Sequence, residues 1–398
     1  MRDVVITAAC RTPIGTMGGQ FRELTSLDLS IPVMQALVSR GGIDPAMIDD
    51  VIWGCNYQRT FRENNLARVA LVKAGLPTSV PGITIHRNCT SSMSSIQMGF
   101  YQIRADEAEC IMAGGADSMS TAPHMVFNAR YGKKFGNLEL RDSMWDSLTE
   151  LGVGPGMGIT AENVAERYHV TREEMDVYAL RSQQCAVAAI DGGKFKDEII
   201  PIVIKSKKGD KIFDTDEYPR RDASLEALAK LKPAFKDGGL VTAGNASGMN
   251  DAASGVLLMS AEKAAECGAV PLARILSVAT TGVEPEVMGI GPISATQVAL
   301  KKAGLTVDDI DLFEINEAFA SQCLACQKEL GIPLEKLNVN GGGISLGHPP
   351  GATGALMLTR LLYDMKRLDL HYGMVTMCVG GGHGFASIWE RIDGGENE

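Results

Sequence analysis

Short apolar runs alternate with amphipathic segments along most of this chain. The segment "DVVITAAC" near the start and the segment "CIMAGGADS" are both apolar enough to be buried strands, whereas "EAFASQCLACQKEL" has the spacing of a helix. Alternation of strand-like runs with helical patterns is typical of βαβ units. The pattern therefore predicts an α/β protein built around a largely parallel sheet.

The same pattern occurs twice. The stretch "GGIDPAMIDDVIWGCN", which ends at Asn56, resembles "AGLTVDDIDLFEIN", which ends at Asn316. Similarly, "HRNCTSSMSSIQMG" around Cys89 corresponds to "SLGHPPGATGALML" around His348, and "CIMAGGADS" corresponds to "TMCVGGGHG". Each pair combines the same kinds of strand, turn and helix start in the same order, which indicates an internal repeat.

The equivalent positions are separated by nearly constant intervals, namely 260 residues from Asn56 to Asn316, 259 from Cys89 to His348 and 266 from Gly114 to Gly380. We therefore predict a duplicated βαβαβ core, with an insert of about residues 120–249 in the first copy. The N-terminal domain would cover residues 1–270 and the C-terminal domain residues 271–398. If the copies pack about a pseudo-twofold axis, Cys89 and His348 occupy equivalent turns and face each other.

Composition narrows the class of protein. A chain of 398 residues can form two or three domains with buried cores. Its net charge of −10 argues against general nucleic-acid binding, and no apolar run is long enough to span a membrane. The start has no long apolar segment typical of a secretory signal. The nine cysteines have no framework spacing, so we expect reduced thiols in a cytoplasmic protein.

A metal site is not indicated. Only six histidines occur in the chain. Cys323 and Cys326 form a CxxC, but this pair lies inside a helical pattern and no second pair is nearby. We expect two packed thiols on one helix face rather than a metal or redox site.

The stretch "NCTSSMSSIQMG" raises a question about Cys89, because residues of indifferent helix propensity precede an apolar helix. In one interpretation Cys89 is a small buried hydrophobe, and the hydroxyl residues let two helices pack closely. In the other, Cys89 lies at a helix N-terminus, where free N–H groups and the helix dipole favour its thiolate.

Three further segments carry groups that can do chemistry. His348 in "GHPPGATG" is either a packing residue or the partner of Cys89 in a Cys–His pair, which is a known way to form a thiolate at neutral pH. Cys378 in "CVGGGHG" ends a strand, and the glycines from Gly380 onward form either a flexible turn or a set of N–H donors for an oxyanion. Asn316 in "EINEAFA" either caps a helix or holds a water or carbonyl oxygen.

Together these segments make the chain similar to the thiolase family, the acetyl-CoA acyltransferases. The resemblance extends over nearly the whole length, from "ITAACRTPIG" through "MGITAENVA", "TAGNASG", "NEAFA" and "GHPPGATG" to "CVGGGHG". It implies the α/β thiolase fold, in which the duplicated core forms α/β/α/β/α layers with an inserted loop domain. It also implies an enzyme of fatty acid metabolism that uses acyl-CoA and CoA, with no separate cofactor and no metal.

The resemblance also implies a role for each candidate residue. Cys89 would be the nucleophile acylated by an acyl-CoA, and His348 would take its thiol proton. Cys378 would exchange a proton with the α-carbon of acetyl-CoA. Asn316 would position a water that, with His348, binds the thioester oxygen. The backbone N–H groups of Cys89 and Gly380 would form a second oxyanion site. Carbon–carbon bond formation between thioesters needs all of these functions.

The resemblance further places coenzyme A against the insert. Arg220 and Ser247 would contact the nucleotide and pantetheine, while Met157, Met288 and Phe319 would line the acyl and pantetheine tunnel. The implied assembly is a homodimer or homotetramer. The basic loop containing Arg130, Lys133 and Lys134 resembles the segment through which family tetramers associate.

Several positions differ from common family members, namely Gly156, where many acetoacetyl-type members have histidine; His383, where methionine is usual; Pro350, where isoleucine is usual; and Ser92, where glycine is common. None of these differences removes a catalytic group. His383 either lies at the sheet edge or in solvent with no effect, or borders the acyl pocket and disfavours long alkyl chains.

The expected reaction is reversible condensation of two acetyl-CoA to acetoacetyl-CoA plus CoA, or thiolytic cleavage of a 3-ketoacyl-CoA, through an acyl-cysteine. One alternative is a 3-ketoacyl-CoA thiolase for longer or polar acyl chains. A second is a non-catalytic acyl-CoA or lipid carrier on the same scaffold. The related ketoacyl synthases also use a cysteine at a helix start, but Cys378 in "CVGGGHG" favours the thiolase.

Overall fold

The computed structural model describes residues 2–58, 61–207 and 209–392. Its strands are β1 (Val4–Arg11), β2 (Gly15–Thr16), β3 (Asp50–Gly54), β4 (Gly82–Ile85), β5 (Cys110–Ser118), β6 (His124–Val126), β7 (Leu140–Asp142), β8 (Ile202–Ile204), β9 (Lys211–Phe213), β10 (Asn250–Ser260), β11 (Ala273–Gly282), β12 (Leu312–Ile315), β13 (Tyr372–Val379) and β14 (His383–Arg391). Its α-helices are α1 (Ser26–Gly41), α2 (Leu66–Lys73), α3 (Ser91–Arg104), α4 (Ser143–Thr149), α5 (Met157–Arg167), α6 (Arg172–Asp191), α7 (Leu225–Ala229), α8 (Ala261–Glu266), α9 (Gly291–Ala303), α10 (Ala320–Leu330) and α11 (Pro350–Leu368). Short 3-10 helices occur at Pro45–Met47, Phe61–Glu63, Met119–Thr121, Pro285–Ile290 and Leu334–Lys336.

One large sheet runs through the molecule in the order β12-β13-β14-β11-β1-β10-β5-β3-β4, and β2 pairs with β10. The pairs β3–β4, β3–β5 and β12–β13 are parallel, whereas every other pair of named strands in this sheet is antiparallel. The prediction of a largely parallel sheet is therefore wrong. The strands β1, β10, β11 and β14 run antiparallel to their neighbours. They are long and largely buried, so their sequences are as continuously hydrophobic as those of parallel strands, and the hydrophobic pattern does not reveal their direction.

The sheet consists of two equivalent halves. The order β3-β5-β10-β1 in the first half matches β12-β13-β14-β11 in the second, with the same parallel and antiparallel pairs. Between the halves, β1 and β11 share only two residue pairs, Val5 with Arg274 and Ile6 with Ala273. This arrangement agrees with the duplication that the sequence intervals indicate.

Helices form three layers around the two halves. Helices α1 and α2 contribute to one core on the outer face of the first half, and α9 and α10 contribute to another on the outer face of the second. Helices α3 and α11 pack against each other in the centre, within a core that contains residues of both halves. The chain therefore has the predicted layered α/β/α/β/α architecture.

The central helices approach each other closely at their N-termini. A Cβ atom on Gly354 of α11 would lie 2.2 Å from Cγ of Met93 on α3, so only glycine fits there. The Ser92 hydroxyl accepts a hydrogen bond from the Ala355 N–H at 3.0 Å. Ser95 donates to the Ser91 carbonyl of its own helix at 3.0 Å. The small hydroxyl residues thus allow α3 to begin deep inside the protein.

Residues 119–249 connect β5 to β10 and contain the strands β6–β9 and helices α4–α7. The helices α5 and α6 of this segment pack against α10. In the described ranges, no helix has the length and apolarity needed to cross a membrane. Cys323 and Cys326 are buried on α10, which confirms the prediction that they pack on one helix face.

Candidate active site

A cavity of about 580 Å³ opens where the starts of α3 and α11 meet the turn between β13 and β14. Both halves of the sheet and the connection of residues 119–249 contribute to its walls. Eight of the ten candidate residues line it, namely Cys89, His348, Gly380, Arg220, Ser247, Met157, Met288 and Phe319. The structure therefore brings together residues from distant parts of the sequence in one cavity of ligand-binding size.

Cys89 lies two residues before the start of α3, as predicted for a cysteine at a helix N-terminus. The backbone N–H groups of Gly380 and of Cys89 itself are directed at its sulfur and lower the pKa of the thiol. Burial outweighs these donors and raises the pKa to about 11. The backbone N–H donors thus favour the thiolate, as predicted, but burial disfavours it by more, so the thiol stays protonated at pH 7.

His348 is buried in the turn before α11. Its Nδ1 lies 2.7 Å from Oγ1 of Thr353, and that hydroxyl donates its proton to the Pro349 carbonyl at 2.7 Å. Since a hydroxyl has one proton, Nδ1–H is the donor to Thr353, and Nε2 carries a lone pair that can accept a hydrogen bond or a proton. Burial lowers the pKa of His348 to about 4. The imidazole is therefore neutral at pH 7 and can accept a proton at Nε2.

These two environments define the protonation state of the Cys89–His348 pair before substrate binds. The Cys89 thiol is protonated and His348 is neutral at pH 7, because burial disfavours both charged forms. Such a pair separates charge only when a substrate arrives and new negative charge can be stabilised.

Asn316 lies at the junction between β12 and α10, and its Nδ2 is 3.4 Å from Nε2 of His348. Its Oδ1 is buried and has no hydrogen-bond partner among the described residues. Asn316 does not line the large cavity, but it borders a neighbouring cavity of about 10 Å³, close to the volume that one water needs. The amide thus keeps unused hydrogen-bonding capacity beside the imidazole.

Cys378 is the second-last residue of β13, as predicted, and is fully buried. It packs with Met288, Phe319 and other residues that line the cavity, although it does not itself line the cavity surface. Burial, and then the proximity of Cys89, raise the pKa of its thiol well above the ordinary value. The two cysteines are therefore neighbours, and both are protonated at pH 7.

The predicted coenzyme A contacts lie along the remainder of the cavity. Arg220 is exposed, whereas Met288 and Phe319 are buried. Ser247 is held through its backbone N–H, which donates to the Ala318 carbonyl at 2.9 Å. The cavity thus changes from a buried apolar end near Met288 and Phe319 to an open end near the exposed Arg220, which suits an acyl thioester attached to a charged carrier.

Other lining residues were missed from the sequence, including Tyr57, His86, Asn88, Trp145 and Phe235. Position gives a signal for some of them: Tyr57 follows Asn56 of the repeat, and His86 and Asn88 directly precede Cys89. For Trp145 and Phe235 no motif marks the position. Thr353 is a further missed residue, since its contact with His348 depends on the turn of α11.

Of the four positions that differ from common family members, Ser92 is buried in α3 and does not line the cavity. Gly156 and Pro350 line the cavity. His383 begins β14, is exposed and lies outside the cavity lining. The hypothesis that His383 borders the acyl pocket is therefore wrong. Across the described ranges, no group of three or more His, Cys, Asp or Glu side chains is arranged to hold a metal ion.

Comparison with known proteins defines the class. Residues 4–262 match the family model "Thiolase, N-terminal domain", and residues 269–391 match "Thiolase, C-terminal domain". The chain is 49% identical to an acetyl-CoA acetyltransferase of Syntrophomonas wolfei, over 98% of this chain and 100% of the relative. The crystal structure of the Bacillus anthracis acetyl-CoA acetyltransferase superposes with a TM-score of 0.96 at 47% identity, covering 98% of this chain and 99% of that one.

Human mitochondrial 3-ketoacyl-CoA thiolase in complex with CoA has a TM-score of 0.95 at 43% identity, with 98% of each chain covered. These similarities extend over the whole fold and include both halves of the duplicated core. The chain belongs to the thiolase family. It is an acyltransferase enzyme with thiolase activity.

Proposed function

We propose that this thiolase transfers acetyl groups between coenzyme A thioesters through a covalent acyl-Cys89. Two acetyl-CoA would give acetoacetyl-CoA and CoA, and in the reverse direction CoA would cleave a 3-ketoacyl-CoA. The observation that carries the proposal is the meeting of Cys89, the neutral His348 and the Gly380 N–H at one cavity. The name of the Syntrophomonas relative, acetyl-CoA acetyltransferase, supports acetyl as the transferred group.

In the first half-reaction the Cys89 sulfur attacks the thioester carbonyl while His348 Nε2 takes its proton. A carbon–sulfur bond forms to Cys89, the bond to CoA breaks, and the departing CoA thiolate recovers the proton from the imidazolium. The N–H groups of Cys89 and Gly380 stabilise the negative charge that develops on the carbonyl oxygen. The resting neutral pair suits this step, because a neutral imidazole is the form that can act as the base.

In the second half-reaction Cys378, acting as its thiolate, takes a proton from the α-carbon of a second acetyl-CoA, and the resulting carbanion attacks the acyl-Cys89 carbonyl. A carbon–carbon bond forms, the carbon–sulfur bond to Cys89 breaks, and the released Cys89 thiolate takes up the proton that Cys378 received. Cys378 is placed for this role beside both Cys89 and the apolar cavity wall. Asn316 holds a water which, with His348, binds the enolate-like oxygen of the second thioester. The buried setting keeps the acyl-enzyme away from bulk water.

Coenzyme A would lie along the connection of residues 119–249. Arg220 would meet the nucleotide, Ser247 the pantetheine, and Met157, Met288 and Phe319 would form the tunnel wall. The CoA thioesters are substrates, and the chemistry proposed here needs no separate cofactor. This arrangement is supported by the gradient from a buried apolar end to an exposed arginine.

We also propose a cytoplasmic homotetramer, with the homodimer as the alternative assembly. All nine cysteines are free thiols, which suits a reducing compartment. Between β6 and β7, Tyr131 is 94% exposed and Phe135 is 87% exposed, close to Lys133 and Lys134. Large aromatic side chains exposed in one segment favour a contact with another copy of the chain.

The proposal is tested by incubating the enzyme with acetyl-CoA, quenching with acid and locating the acetyl group by peptide mass analysis. We expect acetyl on Cys89 in the wild type and none in Cys89→Ser. Cys267→Ser is the matched control, because Cys267 is an exposed thiol, and it should retain acetylation of Cys89. Acetyl found only on another cysteine would contradict the proposal, and binding of acetyl-CoA without any turnover would indicate the carrier.

Thiolysis rates for 3-ketoacyl-CoAs of increasing length decide between acetyl transfer and the longer-chain alternative. We expect the highest kcat/KM with acetoacetyl-CoA. A maximum at a longer chain would favour the 3-ketoacyl-CoA thiolase.

A further inference from the structure

The residues directly before Cys89 form a chain of hydrogen bonds to the other half of the molecule. His86 Nε2 lies 3.0 Å from Asn88 Oδ1, and Asn88 Nδ2 donates to the Gly380 carbonyl oxygen at 2.9 Å. All three residues line the large cavity. The chain therefore connects the segment that carries Cys89 with the glycine turn between β13 and β14.

The chemistry of the partners fixes the direction of each hydrogen bond. The Gly380 carbonyl can only accept, so Asn88 must present its NH₂ group to it, and the Asn88 oxygen then faces His86. Since that oxygen also only accepts, His86 must carry a proton on Nε2. His86 thereby holds the Asn88 amide in the one orientation that can bind Gly380.

The backbone at Asn88 has its own requirement. Its φ angle is +44°, in the left-handed region that asparagine and glycine tolerate better than most residues. Asn88 thus does two separate things: its backbone adopts the positive φ angle, and its side chain donates a hydrogen bond. Glycine also tolerates a positive φ angle, so a change to glycine removes only the side-chain donor.

The glycine turn needs an external restraint because residues 380–382 are all glycine, the residue type with the greatest backbone freedom. Gly381 and Gly382 have φ angles of +89° and +88°. The distal end is held by Gly382, whose N–H donates to the Val379 carbonyl at 3.2 Å. Its carbonyl accepts from the Val283 N–H at 2.7 Å. At the proximal end, Asn88 restrains the Gly380 carbonyl, and the N–H of the same residue is directed at the Cys89 sulfur.

We propose that Asn88 is a positioning residue whose amide, oriented by His86, clamps the Gly380 carbonyl. The clamp keeps the Gly380 N–H aimed at the oxygen that becomes negatively charged when Cys89 attacks a thioester. This inference rests on the proposed function, since that oxygen exists only if Cys89 reacts with a thioester. A donor that must reorganise during the reaction stabilises the transition state less than one that is already in place.

The test compares Asn88→Gly with the wild type in steady-state thiolysis of acetoacetyl-CoA. We expect kcat to fall about 10- to 100-fold, part of what loss of a complete oxyanion donor causes. The KM for the CoA thioester should be unchanged, because the clamp does not bind substrate, and the Tm should fall by only a few degrees, because two side-chain hydrogen bonds are lost. Asn128→Gly is the matched control, since Asn128 also has a positive φ, +60°, but is exposed and lies outside the cavity lining.

A double-mutant cycle tests the part played by His86. His86→Phe removes the donor that orients the amide and should lower kcat by a smaller factor than Asn88→Gly. Because both act through one chain of bonds, His86→Phe should cause no further loss in the Asn88→Gly background. If Asn88→Gly does not fold, the kcat of His86→Phe decides: a loss at constant KM supports the clamp, and an unchanged kcat overturns it.

Three results would overturn the clamp: an unchanged kcat in Asn88→Gly, a raised KM at constant kcat, or additive losses in the cycle. A raised KM would mean that Asn88 contacts substrate directly. Failure of the proposed function itself is distinguishable, since the wild type would then show no acetyl on Cys89. An acetylated and active wild type with an equally active Asn88→Gly rejects the clamp alone.

Discussion

Each half of the molecule contains an equivalent pair of antiparallel strands, but the segment that joins the two strands differs in length between the halves. In the first half β5 and β10 are joined by residues 119–249, whereas in the second β13 and β14 are joined by residues 380–382. Gly114 stays inside β5 opposite Gly255, and its counterpart by strand register is Thr376 opposite Ala386, so the predicted equivalence of Gly114 and Gly380 is wrong. Gly380 lies in the turn after β13. The long connection forms cavity walls, and the short one brings a backbone N–H to Cys89. The duplication supplies the scaffold, and the unequal connections supply the site.

Two equivalent asparagines show the same division. Asn56 of the first half accepts a hydrogen bond from the Ser91 hydroxyl at 2.7 Å, so its side chain supports the start of α3. Asn316 of the second half faces His348 and keeps an unpaired buried oxygen among the described residues. A buried polar atom without a partner costs free energy and persists where function needs it. Asn56 thus supports the start of α3 from the wall of the large cavity, whereas Asn316 keeps free hydrogen-bonding capacity beside His348.

The largest effect is expected from Cys378, which belongs to the half with the short connection. Under the proposed mechanism Cys378→Ser should lower condensation of acetyl-CoA by about 10³-fold, because a serine hydroxyl is too weak an acid to exchange the α-proton. Acetylation of Cys89 should persist, as measured by peptide mass analysis. Condensation at a near wild-type rate in Cys378→Ser would contradict the proposal that Cys378 exchanges the α-proton while Cys89 carries the acyl group.

Substitutions of Asn316 and Asn56 should affect different quantities, kcat for Asn316 and the free energy of unfolding for Asn56. Asn316→Ala should lower kcat about 100-fold, since it removes the group that holds the water beside His348. Asn56→Ala should lower kcat much less than Asn316→Ala, and it should lower the free energy of unfolding by about 1 kcal/mol through loss of the acceptor for Ser91. Steady-state kinetics and denaturant unfolding measure the two quantities. Equal kcat losses in both variants would show that the copies have not diverged in this way.

The pH dependence of Cys89 alkylation tests whether burial or the helix start dominates. Burial raises the pKa of Cys89 from 9.0 to about 11 in the folded protein, so the reactive thiolate increases with pH throughout the neutral and mildly alkaline range. Alkylation by iodoacetamide should therefore rise about tenfold per pH unit from pH 7 to 9, with no plateau. A peptide containing residues 84–94 is the reference and should level off at lower pH. A rate independent of pH in this range would indicate a preformed thiolate.

Much of the fold and site can be predicted from the sequence because the necessary information is local. The intervals between Asn56 and Asn316 and between Cys89 and His348 reveal the duplication, and the glycines after Cys378 mark a turn at a strand end. The hydrogen bond from Asn88 to Gly380 could not be predicted, because it joins residues 292 positions apart. The antiparallel pairing and the pKa values of Cys89 and His348 were missed for a related reason. They depend on chain direction and depth of burial, which hydrophobic pattern alone does not specify.

The smallest effect is expected at His383, the first residue after the short connection, in contrast to Gly156 on the long connection. A Cβ atom at Gly156 would lie 3.1 Å from Cα of Thr149 and 3.3 Å from the Leu148 carbonyl oxygen, so Gly156→Ala must displace α4 in the cavity wall. His383 is exposed and pairs through its backbone with Val379, so His383→Met changes no lining atom.

We therefore expect His383→Met to leave unchanged the ratio of kcat/KM for a longer 3-ketoacyl-CoA to that for acetoacetyl-CoA. Gly156→Ala should change this ratio severalfold, within the range of about 10-fold that a single methyl group can cause in a tight pocket. Thiolysis across the chain-length series measures both variants, with the wild type as reference. A changed ratio in His383→Met together with an unchanged one in Gly156→Ala would assign acyl-chain selection to the short connection instead. The expected result assigns it to the long connection, because Gly156 lines the cavity and His383 does not.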